Sequence, residues 1–383
     1  MRAGEAGQHR AAAIDAVKGA ACLLIVLHHL AFYGPMSDAV APYAPQLVQA
    51  LSRHGRLAVQ VFLVLAGYLA ARSLLAMPAQ ALQRPARLVW RRYLRLVAPC
   101  VVALTASVLV AALVRPWFSH PSLPGVPQLP QLLSHLILAQ DLLGQEALSA
   151  GIWYVAIDFQ LYALTVLLLV LAMRRCEPAS SAPEQGAVAG WLLAVAVLTA
   201  ASLFGFNRIS SLDVTALYFF GAYGLGVLAG WITLEPRRLV SGLVALAAVG
   251  AAALAVDWRV RIAVALAAVL VLIAAQWHRT AAEPAPPGPA LRFLAGTGER
   301  SYSIFLIHFP VCLLINALVW RAFGADPVFN ALGLVLAVLA SWWAGDLLHR
   351  RVERMKLGWL RTLRWQARLV GMGLASGLVA SVG

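Results

Sequence analysis

The chain has 383 residues, of which 61% are hydrophobic and only 12% are charged, and its mean hydropathy is +0.79. This composition excludes a soluble globular protein. The formal net charge of +14 lies mostly between apolar runs, so we attribute it to membrane orientation and contacts with anionic lipid, and not to nucleic-acid binding. The four cysteines are far apart, so neither a disulfide framework nor a metal site is expected.

Apolar runs long enough to cross a bilayer, about 17 to 25 residues each, recur along the chain. We predict spans near residues 14–33, 57–77, 94–114, 152–173, 187–204, 214–234, 239–256, 260–277, 302–320 and 328–348. They indicate an all-α fold, a polytopic transmembrane helical bundle of about ten helices.

The distribution of basic residues predicts the orientation of this bundle. If the N-terminus is cytoplasmic, twenty-three of the thirty Lys and Arg residues fall inside and seven outside. The positive-inside rule therefore places both the N-terminus and the C-terminus in the cytoplasm. Residues 1–350 form the transmembrane domain, and residues 351–383 form a basic cytoplasmic tail with a short apolar end. That end, residues 369–383, either lies on the inner membrane surface, which we favour, or starts an eleventh span.

The first span contains ionisable residues, each of which costs about 2.5 to 3.5 kcal/mol to insert. Lys18 and His29 are eleven residues apart, about three helical turns, so they share a face, and Asp15 lies on the same stripe. Asp15 and Lys18 can pair, being one turn apart. His28 points about 100° away. We expect His29 to lie in the outer part of the span, facing the bundle, although a lone histidine can also serve only to hydrogen-bond a neighbouring helix.

The third span begins with RLVWRRYLRLVAP, in which Arg92 and Arg95 lie on one helix face at the cytoplasmic side. Guanidinium groups suit phosphates, so these two arginines are candidates for binding a phosphate-bearing substrate. The alternative is that they only anchor the helix at the membrane surface.

The fourth span begins with GIWYVAIDFQLYAL, which places Asp158 about two turns from the outer surface, at a depth similar to that of His29. A carboxylate there can orient an imidazole that acts as a general base. Tyr162 shares the face of Asp158. The Pro-rich stretch before this span, residues 116–130, is expected to be an outer loop that either contacts a substrate or is a solvated spacer.

The ninth span opens with ERSYSIFLIHFPV, which places Tyr302 at the inner rim and His308 about two turns into the membrane. Interhelical packing is the alternative role for His308.

Six stretches together resemble the ordered motifs of the membrane-bound acyltransferase-3 family, over residues 14 to about 350. They are IDAVKGAACLLIVLHH, GRLAVQVFLVLAGYL, WRRYLRLVAP, IWYVAIDFQLY, LYFFGAYGLGVLAG and ERSYSIFLIHFPV. The family's first motif is an arginine followed after ten residues by histidine, and here Lys18 and His29 have that spacing. The family's glutamate in the fourth span is here Asp158, and its Ser-Gly pair in the second span is here Ala66 and Gly67.

The resemblance implies a multi-pass O-acetyltransferase-like enzyme of the bacterial inner membrane. Such an enzyme moves an acyl group, usually acetyl, from cytoplasmic acetyl-CoA or another acyl-CoA to a hydroxyl of a cell-surface or lipid-linked carbohydrate, such as an exopolysaccharide or lipopolysaccharide, without a metal. The implied site residues are His29 and Asp158 for catalysis, Arg92, Arg95 and Lys18 for donor binding, and Asp15, Tyr162, Tyr302 and His308 in support. Tyr162 and His308 are candidates for stabilising an oxyanion.

The expected partners are membrane lipid, the carbohydrate acceptor and periplasmic or membrane proteins, but not nucleic acid. A proton-coupled transporter or glycan-export protein is the alternative, because it would also keep His29 and Asp158, as a proton relay. The chain shows no internal repeat of two halves, which many transporters have.

Overall fold

The computed structural model describes residues 2–174, 185–279, 288–355 and 358–382. Within those ranges the regular structure is helical and contains no strand. The α-helices are α1 Arg2–Phe32, α2 Pro35–Val40, α3 Pro45–His54, α4 Ala58–Leu75, α5 Ala79–Leu82, α6 Pro85–Val114, α7 Leu129–Leu136, α8 Ile152–Met173, α9 Gln185–Phe204, α10 Ala216–Ile232, α11 Leu239–Val256, α12 Val260–Arg279, α13 Pro289–Glu299, α14 Ser301–Phe323, α15 Pro327–Leu348 and α16 Trp359–Val382.

In the described part of the chain, eight helical stretches are long and apolar enough to cross a membrane. They are Ala12–Phe32, Pro45–Leu75, Pro85–Val114, Ile152–Met173, Gly186–Arg208, Pro236–Val256, Ser301–Phe323 and Pro327–Glu353. The other two of the ten predicted spans are shorter apolar helices, Ala216–Ile232 and Val260–Ala275. The prediction of an all-α polytopic protein is confirmed. The cytoplasmic placement of both termini stays a prediction.

The helices form two compact units. The first unit consists of Met1–Ala58, Leu94–Ala156 and Pro287–Gly383. In it, α1 packs against α13 and α14, and α14 packs against α15. The backbones of α1 and α13 touch at Gly298, where an added Cβ would lie 1.7 Å from the carbonyl oxygen of Asp15. Small residues permit this close approach, a common means of helix association in membranes.

The second unit consists of Val59–Tyr93 and Ile157–Pro286. In it, α4 meets α10 through two glycines. A Cβ added at Gly67 would lie 2.0 Å from the carbonyl oxygen of Tyr223, and one at Gly226 would lie 2.0 Å from that of Val64. Gly67, singled out by the family resemblance, is therefore required by the packing of these two helices.

Candidate active site

The first unit contains a pair of buried histidines contributed by α1 and α14. The Nδ1 atom of His29 lies 2.6 Å from the Nε2 atom of His308. The two rings are stacked, with centroids 4.8 Å apart and planes within 1° of parallel. His29 is 9% exposed and His308 is fully buried. The structure therefore brings together two residues that the sequence placed on separate helices.

A backbone carbonyl determines which nitrogens of the pair carry protons. The Nδ1 atom of His308 lies 2.7 Å from the carbonyl oxygen of Phe305, and a carbonyl can only accept a hydrogen bond. Neutral His308 is thus protonated at Nδ1 and accepts at Nε2, so His29 must donate from its own Nδ1. The lone pair of His29 is left on Nε2, which has no hydrogen-bond partner within the described ranges. A neutral imidazole with a free Nε2 can act as a base or nucleophile.

His28 has different partners from its neighbour. Its Nδ1 atom donates to the carbonyl oxygen of Leu51, at 3.0 Å. Gly55 packs directly on it, since a Cβ added there would lie 2.6 Å from the Cβ of His28. His28 thus links α1 to the C-terminal part of α3 and to Gly55, which follows it, and these contacts are structural.

Asp15 and Lys18 lie further along α1, toward its N-terminus. The Nζ atom of Lys18 donates to Oδ1 of Asp15 at 2.9 Å, the one-turn pairing that their spacing predicts. The side chain of Asp15 is 21% exposed and that of Lys18 is 24% exposed. Tyr302, at the start of α14, donates its hydroxyl to the carbonyl oxygen of Leu96 at 2.7 Å and so joins α14 to α6.

The second unit contains an ion pair between α6 and α8. Nη2 of Arg92 lies 2.5 Å from Oδ2 of Asp158, whose side chain is 5% exposed. The guanidinium also lies over the ring of Tyr162, with its central carbon 5.3 Å from the ring centroid. A buried carboxylate needs such a cation, because an unpaired charge away from water is strongly destabilising. The role of Asp158 in orienting His29 stays a prediction, and the charge that contacts Asp158 in the structure is that of Arg92.

This contact corrects the predicted depth of Asp158. Sequence analysis placed Arg92 at the cytoplasmic side and Asp158 near the outer surface, yet the two side chains are in contact. The prediction of opposite depths is wrong, because hydropathy gives the length of an apolar helix but not the level at which it starts. The guanidinium of Arg92 is paired with Asp158 and is therefore less available to bind a phosphate. The side chain of Arg95 is exposed.

Tyr223 on α10 joins this cluster, and sequence analysis missed it. Its side chain is 1% exposed, and Asp158 and Arg92 both lie within electrostatic reach of its hydroxyl. Tyr223 lies within LYFFGAYGLGVLAG, one of the six stretches that carry the family resemblance. In the structure, Gly67 approaches the Tyr223 backbone closely and so holds α10 against α4.

Comparison with known proteins agrees with these features. The profile of the acyltransferase-3 family, described as an acyltransferase domain, matches residues 11–346, nearly the whole chain. No curated protein and no solved structure gives a significant match. The matched region contains the histidine pair, the Arg92–Asp158 ion pair and most of the helices that could span a membrane. The chain therefore belongs to the acyltransferase-3 family and is a multi-pass membrane acyltransferase.

Proposed function

We propose that this protein transfers an acyl group, in the first place acetyl, from acyl-CoA to a hydroxyl group of a cell-surface or lipid-linked carbohydrate. The observation that carries the proposal is the free Nε2 of His29, held in a buried histidine pair within a chain of the acyltransferase-3 family. A transporter would use His29 as a relay, but the family match favours group transfer.

In the proposed reaction, Nε2 of His29 removes the proton of the acceptor hydroxyl as its oxygen attacks the thioester carbonyl. A new C–O bond forms and the C–S bond breaks. The imidazolium then returns the proton to the departing CoA thiolate, so charge and protons balance. In the other route Nε2 of His29 attacks the thioester carbonyl and CoA leaves as the thiolate. The acceptor hydroxyl then attacks the acyl-imidazolium, the C–N bond breaks, and the hydroxyl proton goes to the thiolate. Both routes need the same nitrogen, in the same tautomer.

His308 is the positioning residue for this step. Its Nε2 atom accepts a hydrogen bond from the Nδ1–H group of His29, and this hydrogen bond keeps the lone pair of His29 on Nε2. It is itself held by the carbonyl oxygen of Phe305. This arrangement resembles the support that a carboxylate gives to the histidine of a serine-hydrolase triad, except that a neutral imidazole takes the place of the carboxylate.

The donor and acceptor would approach from different sides of the bacterial inner membrane. Arg95 is exposed and belongs to the arginine-rich side predicted to be cytoplasmic, so we assign it to the CoA phosphates. Lys18 adds a second cation, whose charge Asp15 partly compensates. Arg92 and Asp158, bound to each other, are assigned to holding α6 and α8 together in support of the site.

The test measures acetate released by mild base from total surface glycan, in cells without the gene or carrying the wild type, His29→Gln or His28→Gln. The two variants make the same chemical change at neighbouring residues, and both keep a side chain that can hydrogen-bond. Acetate should fall to the deletion level in His29→Gln and stay near the wild-type level in His28→Gln, at equal membrane abundance.

Two other outcomes would count against the proposal. Equal loss in both variants would mean that His29 acts only through structure. If the deletion strain kept the wild-type amount of glycan acetate, the reaction would not transfer acetyl groups to this carbohydrate. In that case, consumption of acetyl-CoA by the purified protein decides between another acceptor and a transporter.

A further inference from the structure

The acyl transfer proposed above needs a hydrogen-bond donor for the carbonyl oxygen of the thioester, which becomes an oxyanion when the thioester is attacked. Sequence analysis offered Tyr162 and His308 for this role. His308 has no hydrogen left to donate, because its Nδ1 donates to the carbonyl oxygen of Phe305 and its Nε2 accepts from His29. Tyr162 belongs to the second unit, where its ring lies under the guanidinium of Arg92. The remaining side chains that contact His29 are therefore the candidates for this donor.

Three aromatic rings lie against His29 in the described part of the chain, those of His28, Tyr33 and His308. His28 donates from Nδ1 to the carbonyl oxygen of Leu51, so its neutral ring carries no hydrogen on Nε2. The ring centroid of Tyr33 lies 5.5 Å from that of His29, with the two planes at 50°. The Tyr33 hydroxyl has no hydrogen-bond partner within the described ranges and is not buried. Of the three rings, only that of Tyr33 has a donor that is free to meet a substrate.

The end of α1 holds Tyr33 in this position. The helix ends at Phe32, and Gly34 has a φ of +110°, a conformation that glycine adopts readily. A Cβ added at Gly34 would lie 2.3 Å from Oδ1 of Asn316, and the same oxygen accepts from the backbone amide of Met36 at 3.2 Å. The chain that follows Tyr33 is therefore fixed to α14.

The same helix also positions the ring of Tyr33. This ring packs edge-on against Phe309 of α14, with centroids 5.9 Å apart and planes at 84°. His308, the neighbour of Phe309, supplies the acceptor for His29. Because α14 contacts both His29 and Tyr33, the two side chains are already arranged before a substrate binds. An oxyanion donor is most effective when it is preorganised in this way, since nothing has to be reoriented during the reaction.

We propose that the hydroxyl of Tyr33 donates a hydrogen bond to the acyl carbonyl oxygen of the thioester as negative charge develops on it. The inference rests on the acyl transfer proposed above. When the acceptor hydroxyl or Nε2 of His29 attacks the thioester carbon, the π electron pair of the C=O bond moves onto the oxygen, where the O–H group of Tyr33 stabilises it. When the tetrahedral intermediate collapses, the C=O bond re-forms and the C–S bond breaks, and Tyr33 keeps its proton throughout. Reacting atoms are about 3 to 3.5 Å apart as such an attack begins, so the carbonyl oxygen comes within reach of a ring that packs on His29.

The test compares Tyr33→Phe with Tyr43→Phe, which loses the same hydroxyl at a tyrosine of the first unit that is 75% exposed. Each purified variant is placed in vesicles, and the release of CoA thiol from acetyl-CoA is measured with the glycan fraction that loses acetate in the deletion strain as acceptor. Wild type and His29→Gln are measured alongside, because they test the acyl transfer itself. Phenylalanine keeps the ring contacts of Tyr33, so both tyrosine variants should keep the wild-type melting temperature.

Tyr33→Phe should lower kcat by about 10²- to 10³-fold, the usual loss for one oxyanion donor. The KM values for acetyl-CoA and for the glycan should stay nearly constant, because the hydrogen bond strengthens only in the transition state. Tyr43→Phe should match wild type. 3-Fluorotyrosine at residue 33 is a more acidic phenol and a stronger donor, so it should keep or raise kcat.

A wild-type kcat in Tyr33→Phe, together with an inactive His29→Gln, would overturn this inference and leave the proposed function intact. A raised KM for the glycan at unchanged kcat would also overturn it, because Tyr33 would then bind the acceptor before the reaction begins. Equal losses of kcat in Tyr33→Phe and Tyr43→Phe would do the same, since the effect would not be specific to the hydroxyl beside His29. If the wild type transferred no acetyl group, the proposed function itself would be refuted, and this inference with it.

Discussion

Removing the acceptor on His308 should impair His29 without disturbing the rest of the site. In His308→Phe the aromatic ring remains, so the stacking with His29 at a centroid distance of 4.8 Å can persist, but the Nε2 acceptor at 2.6 Å is lost. In His308→Gln the ring is lost, but the side-chain oxygen can still accept the Nδ1 proton of His29. The two variants therefore separate packing from hydrogen bonding.

The size of the effect follows from the role assigned to the pair. General-base catalysis contributes about 10²- to 10⁴-fold to a rate, and most of it depends on the lone pair staying on Nε2 of His29. We expect His308→Phe to lower kcat by about 10²- to 10³-fold, or about 3 to 4 kcal/mol of barrier. His308→Gln should stay within about tenfold of wild type, since one retained acceptor still selects the tautomer.

The assay is the release of CoA thiol from acetyl-CoA by purified protein in vesicles, with the glycan fraction that loses acetate in the deletion strain as acceptor. The KM for acetyl-CoA should stay nearly constant, because His308 is assigned no contact with the donor. Higher activity in His308→Phe than in His308→Gln would refute the reasoning, because packing and not the hydrogen bond would then matter.

The other predictions concern stability in the second unit and are measured by thermal unfolding in detergent. Arg92→Met and Asp158→Leu should each lower the unfolding free energy by about 3 kcal/mol, because each leaves one buried charge unpaired. The double variant should lose less unfolding free energy than the sum of the two single variants, since it leaves no charge unpaired. Strict additivity would contradict the pairing. Gly67→Ala should be destabilising because its Cβ would lie 2.0 Å from the Tyr223 carbonyl oxygen. Gly190→Ala, whose Cβ would have only an ordinary contact at 3.7 Å, should be neutral or stabilising by up to about 1 kcal/mol. Equal melting temperatures for these two variants would contradict the close packing of α4 and α10.

Helical periodicity was enough to separate His29 from His28. The eleven-residue spacing from Lys18 fixes a face of α1, and the 100° rotation per residue turns His28 away from it. In the structure His28 bonds the Leu51 carbonyl, whereas His29 meets His308. The identity of the partner could not be predicted, because it depends on which level of α14 faces α1, and periodicity within one helix carries no information on the register between two.

Asp158 illustrates the same limit in a different way. Its burial and its need for a partner follow from one carboxylate in an apolar run. Its depth was misjudged because depth was counted from the first apolar residue of α8, and the cation that contacts it in the structure is Arg92. The hydrogen bond from Ser107 of α6 to the Leu148 carbonyl oxygen shows that the chain has turned back along α6 before α8 begins.

The sequence by itself determined the all-α membrane class, the approximate positions of the spans, the acyltransferase-3 family and the ionisable residues that lie in apolar surroundings. These properties depend on composition and on spacing within single helices, where hydrophobic cost and helical geometry act locally. Only the tertiary structure decided that His308 contacts His29, that Arg92 pairs with Asp158 and that Leu148, just before α8, lies beside Ser107 of α6. Each of these depends on the relative level of two parts of the chain that are distant in sequence, and the pattern within a single helix carries no information on that level.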